Sequence, residues 1–383
     1  MKIALLTTDS REHFKDYSNP KPYFGTAPEA LLQGFAQLPE VEVHVICCVR
    51  QRVAAPEKIA PNIFYHALLV PKIGWMSTGY QGCIRAVRTL LKRLAPDIVH
   101  GQGTERDCAI SAVFSGYPNV VTIHGNMAEL ARIFRAPIRS YNWFAARLED
   151  FALPRTAGVF CNSAYTESLV RARAKRTWRV PNAIRAEFFE QTAVSQPQGK
   201  PCVINVGLIS ARKRQIEILE VVRALHEQGK QVEFQFVGAC SPTQVYGAAF
   251  LRAIEQAERE GYGRYLGEKS VEKLIALFDA ADAMIHFPSE EAFGLVVAEA
   301  LARNLKFFGA AVGGIIDIAS NVELAELLSI SDWPLLQRRI AEWLEAGCPK
   351  PSAAQTLIST RYKPEIIAAR HLEIYREVLG KNH

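Results

Sequence analysis

Strand-like and helix-like stretches alternate along this chain twice over, and that alternation limits its fold more than any other feature. In the first half the short apolar runs are KIALL, VEVHVICC, DIVHG, NVVTIHG, GVFCNS and RTWRVPN. Between them lie amphipathic stretches such as PEALLQGFAQL, CIRAVRTLLKRLA and AYTESLVRARA. Strands that alternate with helices build a parallel sheet covered on both faces. The segment EQTAVSQPQGKP is polar and rich in Gln and Pro, which marks a linker. The alternation then restarts with strand candidates CVINVGLI, EFQFVGA, YLGE, DAMIHFP and LKFFGA, and helix candidates QIEILEVVRALHEQG, SVEKLIALFDAA and VVAEALARN. The expected fold is α/β, with two doubly wound, Rossmann-like domains facing each other across a cleft. Their expected bounds are 1–190, a linker over 191–201, and 202–363. The helical stretch at 364–383 could pack on either domain, and the expected arrangement has it completing the first. Sheets of this kind bind ligands at the carboxyl ends of their strands.

A chain of 383 residues, 49% hydrophobic and 22% charged, can bury two sizeable cores. The net charge of +6 is mild at this length. It suits an anionic ligand or an acidic membrane surface, and without a concentrated basic stripe it argues against nucleic acid. Eight cysteines are scattered with no Cys-x-x-Cys, so they read as small core residues in a reducing compartment, with neither a zinc site nor a disulfide framework. MKIALLTTDS reads as a first strand rather than a secretory leader, and no apolar run is long enough to span a bilayer. A cytoplasmic location, with peripheral contact at the inner face of the membrane as a candidate addition, is the expectation. The pair Gly101 and Gly103 lacks the third glycine of a dinucleotide fingerprint, and no P-loop is present.

The run SEEAFGLVVAEALA (289–302) places acids at Glu291 and Glu299 around a Phe-Gly-Leu step. The spacing predicts a loop at Glu291 and a helix that begins near Phe293 or Gly294, with Glu299 about one turn inside. A helix start presents unpaired N–H groups and the positive end of a dipole, so the donors from Phe293 to Leu295 suit phosphate or ring hydroxyl oxygens. A carboxylate, with two acceptor oxygens, suits vicinal diols. The structural alternative is an ordinary helix start with acids placed by the dipole.

These residues carry a resemblance. SEEAFGLVVAEALA resembles the E-x7-E signature of the retaining family-4 glycosyltransferases, two-domain enzymes of the GT-B fold. VGLISARKRQ, ADAMIHFPSEEAFG, AAVGGIIDI, DIVHGQG, VVTIHGN, CNSAYTES and VPNAIRAEFF follow the family's segments in the same order over nearly the whole chain. The resemblance implies that Glu291 contacts the donor hexose and Glu299 the nucleotide ribose. It implies that Lys213 neutralises the leaving diphosphate, as a fixed cation does for charge that grows in a transition state. Leu208 stands where the family usually has arginine, and Arg212 is the candidate second charge. His124 matches a histidine near the donor hexose. Gly25 and Thr26 fit the glycine loop over the phosphates, although the family often shows two glycines there. The residues themselves also read as a capping box formed by Thr26 and Glu29, with Pro28 in the first turn. For Lys213, His124 and Gly25 the structural alternatives are a solvated lysine, a satisfied strand-end histidine and a plain helix cap.

No Asp-x-Asp occurs in the chain, so no metal and no other cofactor is expected. The helix CIRAVRTLLKRLA carries Arg85, Arg88, Lys92 and Arg93, read either as contact with anionic lipid or as a solvated basic face. The aromatic and basic stretch 132–150 is a candidate for shaping the acceptor side. The expected activity is transfer of a hexose-type sugar from a nucleoside-diphosphate donor to a glycan, lipid or small-molecule acceptor, in polysaccharide or glycoconjugate biosynthesis. The first domain would hold the acceptor and the second the donor. Two alternatives stay open: a catalytically degenerate regulatory subunit that binds nucleotide or sugar without turnover, and an epimerase or phosphorylase of the same architecture.

Overall fold

The computed structural model describes residues 1–190 and 199–380, so most of the expected linker at 191–201 lies outside the described residues. The chain divides into two compact units, residues 1–186 with 362–383, and residues 187–361.

The sheet of the first unit has eight strands: β1 (Lys2–Leu6), β2 (Glu42–Val49), β3 (Lys58–Ala60), β4 (Ile63–Leu69), β5 (Ile98–Gln102), β6 (Asn119–Ile123), β7 (Val159–Cys161) and β8 (Thr177–Arg179). Their order is β3-β4-β2-β1-β5-β6-β7-β8, parallel except for the antiparallel edge pair β3–β4. In β1, Ile3 and Leu5 join one core cluster while Ala4 and Leu6 join another. Side chains alternate between sheet faces, so a strand packed on both sides must be apolar throughout. The first cluster includes Phe35 of helix Thr26–Ala36 and Leu372, Ile374 and Tyr375 of helix Pro364–Val378. That last helix therefore belongs to the first unit. His371 stacks on Phe160 at 4.7 Å, and the Tyr375 hydroxyl lies 2.5 Å from Nδ1 of the buried His100. The second cluster takes in Ile84, Val87, Leu90 and Leu91 from helix Gln81–Leu94.

The second unit's sheet has six parallel strands: β9 (Cys202–Val206), β10 (Glu233–Val237), β11 (Gly263–Gly267), β12 (Ala283–His286), β13 (Lys306–Ala310) and β14 (Ala325–Leu328). The order is β11-β10-β9-β12-β13-β14, so successive strands build outward from β9 on one side and then return to start on the other. This is the dinucleotide-fold order, and it opens a crevice between the carboxyl ends of β9 and β12. The first unit has the corresponding reversal between β1 and β5. Residues from 187 onward pack with the second unit: Phe188 lies 6.2 Å from Phe278, and Arg303 Nη1 donates to the Phe188 carbonyl at 3.2 Å.

Candidate functional site

The crevice of the second unit is built by two connections. After β9 the chain turns through 207–214, where the Lys213 N–H donates to the Ser210 carbonyl at 2.9 Å, and enters helix Gln215–Glu227. After β12, which ends on His286, it runs through 287–294 into helix Leu295–Leu301. The two connections are tied together, because the Ser289 N–H donates to the Arg212 carbonyl at 2.8 Å. Strand order alone thus sets residues far apart in sequence side by side.

Lys213 Nζ pairs with Glu291 Oε2, and the same Nζ lies 3.3 Å from His286 Nε2. His286 Nε2 is in turn 3.1 Å from Glu291 Oε2. Cation, imidazole and carboxylate close a triangle whose members are largely shielded from solvent, with Lys213 and Glu291 side chains each 12% exposed. Burial alone would push the Glu291 carboxyl up, but the Lys213 charge and the His286 hydrogen bond hold it well below the usual carboxylate range. Burial, and then repulsion from Lys213, lower His286 to about 4 against the opposing pull of Glu291. At neutral pH the cluster therefore holds an ionised glutamate and a neutral imidazole against the Lys213 side chain. His286 Nδ1 is buried without a partner among the described residues. A buried polar atom left without a partner costs stability.

Beside the triangle, Arg212 Nη1 donates to the Glu290 carbonyl at 2.9 Å and to Glu290 Oε2 at 3.1 Å. The candidate second cation is thus held by the neighbouring acid, and burial pushes the Glu290 carboxyl up despite it. Leu208 is 60% exposed. Phe293 is buried and anchors the loop, while Gly294 adopts φ 97°, a left-handed conformation that glycine takes without strain, and caps helix Leu295–Leu301. Glu299 lies in the second turn, 4% exposed. Gly314 packs directly under the loop: its N–H donates to the Glu291 carbonyl at 3.1 Å, and a Cβ there would come within 2.5 Å of Phe293 Cα. The structure therefore places Arg212, Lys213, Glu291, Phe293 and Gly294 on the two connections that bound the crevice, and Leu295 and Glu299 on the helix that follows the second.

The first-unit candidates lie at the carboxyl side of its sheet. His124 follows β6, with Nε2 2.8 Å from Gln102 Oε1 at the end of β5, and burial lowers it to about 4. Gly25 follows Phe24, which bridges to Asp9 just after β1. Here the expected capping box is corrected. Gly25 is itself the N-cap, extended at φ −59° and ψ 152°, and Thr26 is the first helical residue, with no side-chain cap. The bridge to Asp9 sets the entry of the chain, so the helix starts one residue earlier than the Thr26–Glu29 spacing implies. Glycine is accepted at an N-cap at small cost.

Two candidates escaped the sequence reading. His286 sits inside an apolar strand run, where a histidine carries no distinguishing pattern. Glu105 follows β5, its Oε1 accepting the Gly125 N–H at 2.9 Å, and burial raises it to about 7. Gly103 was the clue to it, since a Cβ there would fall 2.1 Å from Glu105 Oε2. Among the described residues, Cys48, Cys83 and Asp107 form the one group whose donor atoms, all within 4.8 Å of one another, could hold a metal ion. It is buried in the first unit.

The family model described as "Glycosyltransferase Family 4" matches residues 29–188, and that described as "Glycosyl transferases group 1" matches residues 187–358. The chain is 23% identical to a phosphatidylinositol N-acetylglucosaminyltransferase GPI3 subunit of Saccharomyces cerevisiae, over 76% of this chain and 66% of that protein. It thus spans just under two thirds of that relative's length. Among solved structures it superposes on a sucrose-phosphate synthase from Thermosynechococcus elongatus with TM-score 0.76, at 19% identity and with all of both chains covered. Anabaena HepE in complex with UDP-glucose matches with TM-score 0.72 at 17% identity, over 98% of this chain and all of that one. These likenesses fix the GT-B architecture.

Proposed function

Because the chain belongs to the family-4, group 1 glycosyltransferases, we propose that it moves a hexose-type sugar from a nucleoside-diphosphate donor, with retention at the anomeric carbon and without a metal ion. The observation that carries this reading is the Lys213–Glu291–His286 triangle at the reversal point of the second sheet. When the bond from the anomeric carbon to the diphosphate breaks, negative charge grows on the departing phosphate oxygen. The Lys213 ammonium is already oriented by Glu291 and needs no reorganisation to meet that charge. Glu291, ionised at neutral pH, accepts hydrogen bonds from hexose hydroxyls, and Glu299 accepts those of the ribose diol. Neutral His286 contacts both the cation and the acid through Nε2. First-turn amides after Gly294 and the backbone at Gly25–Thr26 are assigned to phosphate oxygens, Arg212 to a second charge, and His124 to a sugar hydroxyl. The first unit takes the acceptor: a glycan, a lipid or a small molecule. Metal independence rests on Lys213 together with the absence of any Asp-x-Asp.

The HepE complexes contain UDP or UDP-glucose, which makes UDP-hexoses the first donors to test. Melting temperature is measured with UDP, GDP, ADP and their hexoses, because a ligand specific to the folded state raises it. Nucleotide release is then followed with and without acceptor, with chelator present, and for Glu291→Ala. The expected result is one nucleotide class that stabilises the protein, acceptor-dependent turnover that survives chelation, an α-linked product from an α-linked donor, and loss of turnover in the variant. Turnover that requires inorganic phosphate, an inverted product, or no turnover of any donor that binds would overturn the proposal.

A further inference from the structure

Helix Gln81–Leu94 contains no acid, and its two faces are chemically opposed. Cys83, Ile84, Val87, Leu90 and Leu91 are buried in the first unit. Arg85, Arg88, Lys92 and Arg93 are exposed. At about 1.5 Å rise per residue, the row from Arg85 to Lys92 spans roughly 10 Å. Alongside this helix runs a groove of about 670 Å³, lined on one wall by Leu68, Leu69, Val70 and Ile73 and on the other by Ala86 and Leu90, with Arg85 and Arg93 also in contact with it. Part of its lining is bare backbone: Gly74 and Gly82 meet so closely that a Cβ on Gly82 would lie 2.6 Å from Gly74 Cα. Ile73 is 77% exposed and Leu69 50%. No Asp or Glu lines the groove or the adjoining basic depression formed by Gln81, Ile84, Arg85, Arg88, Thr89 and Lys92.

We infer that this groove and the basic face beside it seat the surface of an anionic phospholipid bilayer, with one acyl chain in the groove and lipid phosphates along Arg85, Arg88, Lys92 and Arg93. An apolar channel set beside unopposed cations matches a ligand that is itself apolar at one end and negative at the other. A nucleic acid would use the cations and leave Ile73 and Leu69 in water. An apolar peptide would use the groove and leave the cations unmatched. Lys72, next to Ile73, adds a further exposed positive charge on the same segment. No helix among the described residues is long and apolar enough to cross a membrane, so the contact is peripheral. The seat extends the proposed transfer toward acceptors held at a membrane. It rests on first-unit residues alone, whereas the lysine–glutamate cluster belongs to the second unit.

The test is co-sedimentation of the full chain with vesicles of phosphatidylcholine alone, and of phosphatidylcholine and phosphatidylglycerol in equal parts, with no sugar donor present. Binding is expected to the anionic vesicles, to fall with added salt, and to be negligible for the neutral ones. Arg88→Glu with Lys92→Glu should weaken it by about 25-fold or more, taking roughly fivefold per basic residue removed from the surface. Ile73→Ser should weaken it about tenfold through lost apolar burial alone. Both sites are exposed, and both variants should keep the nucleotide-induced rise in melting temperature. No sedimentation with anionic vesicles, equal sedimentation with neutral ones, or full binding by Ile73→Ser would overturn the inference. Because the assay contains no donor, its failure leaves the transferase reading standing.

Discussion

Replacing Lys213 by Met tests the proposed chemistry most directly, because it removes a charge while keeping most of the side-chain volume. Nζ sits in a shielded site against Glu291 and 3.3 Å from His286. A unit charge about 4 Å from the leaving oxygen, at an effective dielectric near 20, is worth about 4 kcal/mol. Removing a single preorganised oxyanion donor costs about 3–4 kcal/mol, which at about 1.4 kcal/mol per decade is a fall of roughly 10²–10³ in kcat. Stability should fall as well, since a nearly buried acid loses its partner. That effect is separable. The double variant Lys213→Met with Glu291→Gln removes both charges and should recover much of the melting temperature without recovering kcat. Lys213→Arg should restore part of kcat, limited by the planar shape of the guanidinium. The single variant should also acquire a new pH dependence. The Lys213 charge is what opposes burial at Glu291, so without it the carboxyl rises, and donor KM should worsen as pH falls. Steady-state kinetics on folded protein at saturating donor provide the readout. A kcat within fivefold of wild type, or an Arg variant no better than the Met variant, would refute the role.

Acid should destabilise the protein before the Glu291 carboxylate titrates, because the lowered buried histidines His124, His286 and His371 outnumber Glu105, whose raised carboxyl works in the opposite sense. His286 and His371 are buried and lowered mainly by burial from 6.5 to about 4, so the unfolded chain binds protons in this window that the folded chain refuses. Their contribution is complete above about pH 6.5 and is lost as pH falls toward 4, by up to about 3 kcal/mol each. Glu291, depressed from 4.5, begins to lose its own contribution only below that value. A melting temperature that stays flat from pH 7 to 4.5 would contradict this. Gly314→Ala places a Cβ 2.5 Å from Phe293 Cα and 2.7 Å from the Ala292 carbonyl oxygen, so the Glu291 loop must move. A loss of about 1–3 kcal/mol in chemical denaturation is expected, together with raised donor KM, and an unchanged KM would argue against the loop. Leu208→Arg puts the family's usual cation at an exposed position beside the Lys213 turn. It should lower donor KM or raise kcat by about tenfold through a second charge on the diphosphate, and kinetics no different from wild type would show that the position is not aimed at the donor.

What the sequence made legible follows the period of each element. Ile3 to Leu6, Val203 to Val206 and the Glu291–Gly294 corner are local patterns, and local patterns survive into the fold. β4 escaped because IFYHALL directly follows the short edge strand β3 rather than a helix, although it pairs in parallel with β2 from Val43 to Val49. The Thr26 cap failed because a tertiary bridge, Asp9 to Phe24, decides where that helix begins. Arg212 could be proposed as a second charge from its neighbour Lys213, but no local pattern pairs its guanidinium with Glu290, the residue 78 positions away that holds it.

That separation explains why the candidate site could be named in parts but not assembled. Lys213 and Glu291 are 78 residues apart and meet because the chain, after completing β11 at one edge, returns to place β12 beside β9. Ala283 and Met284 then register against Val203 and Ile204, and that register sets His286 at the strand end facing the Lys213 turn. Had β12 joined the far edge beyond β11, the same residues would be separated by the width of three strands, more than 10 Å at about 4.8 Å per strand. No cation could then hold Glu291 ionised in a buried position, and the carboxyl would protonate. The charge state that the proposed reaction needs is therefore a consequence of strand order. A motif reports the acid and the lysine separately, whereas the sheet brings them together and lets the buried acid stay charged.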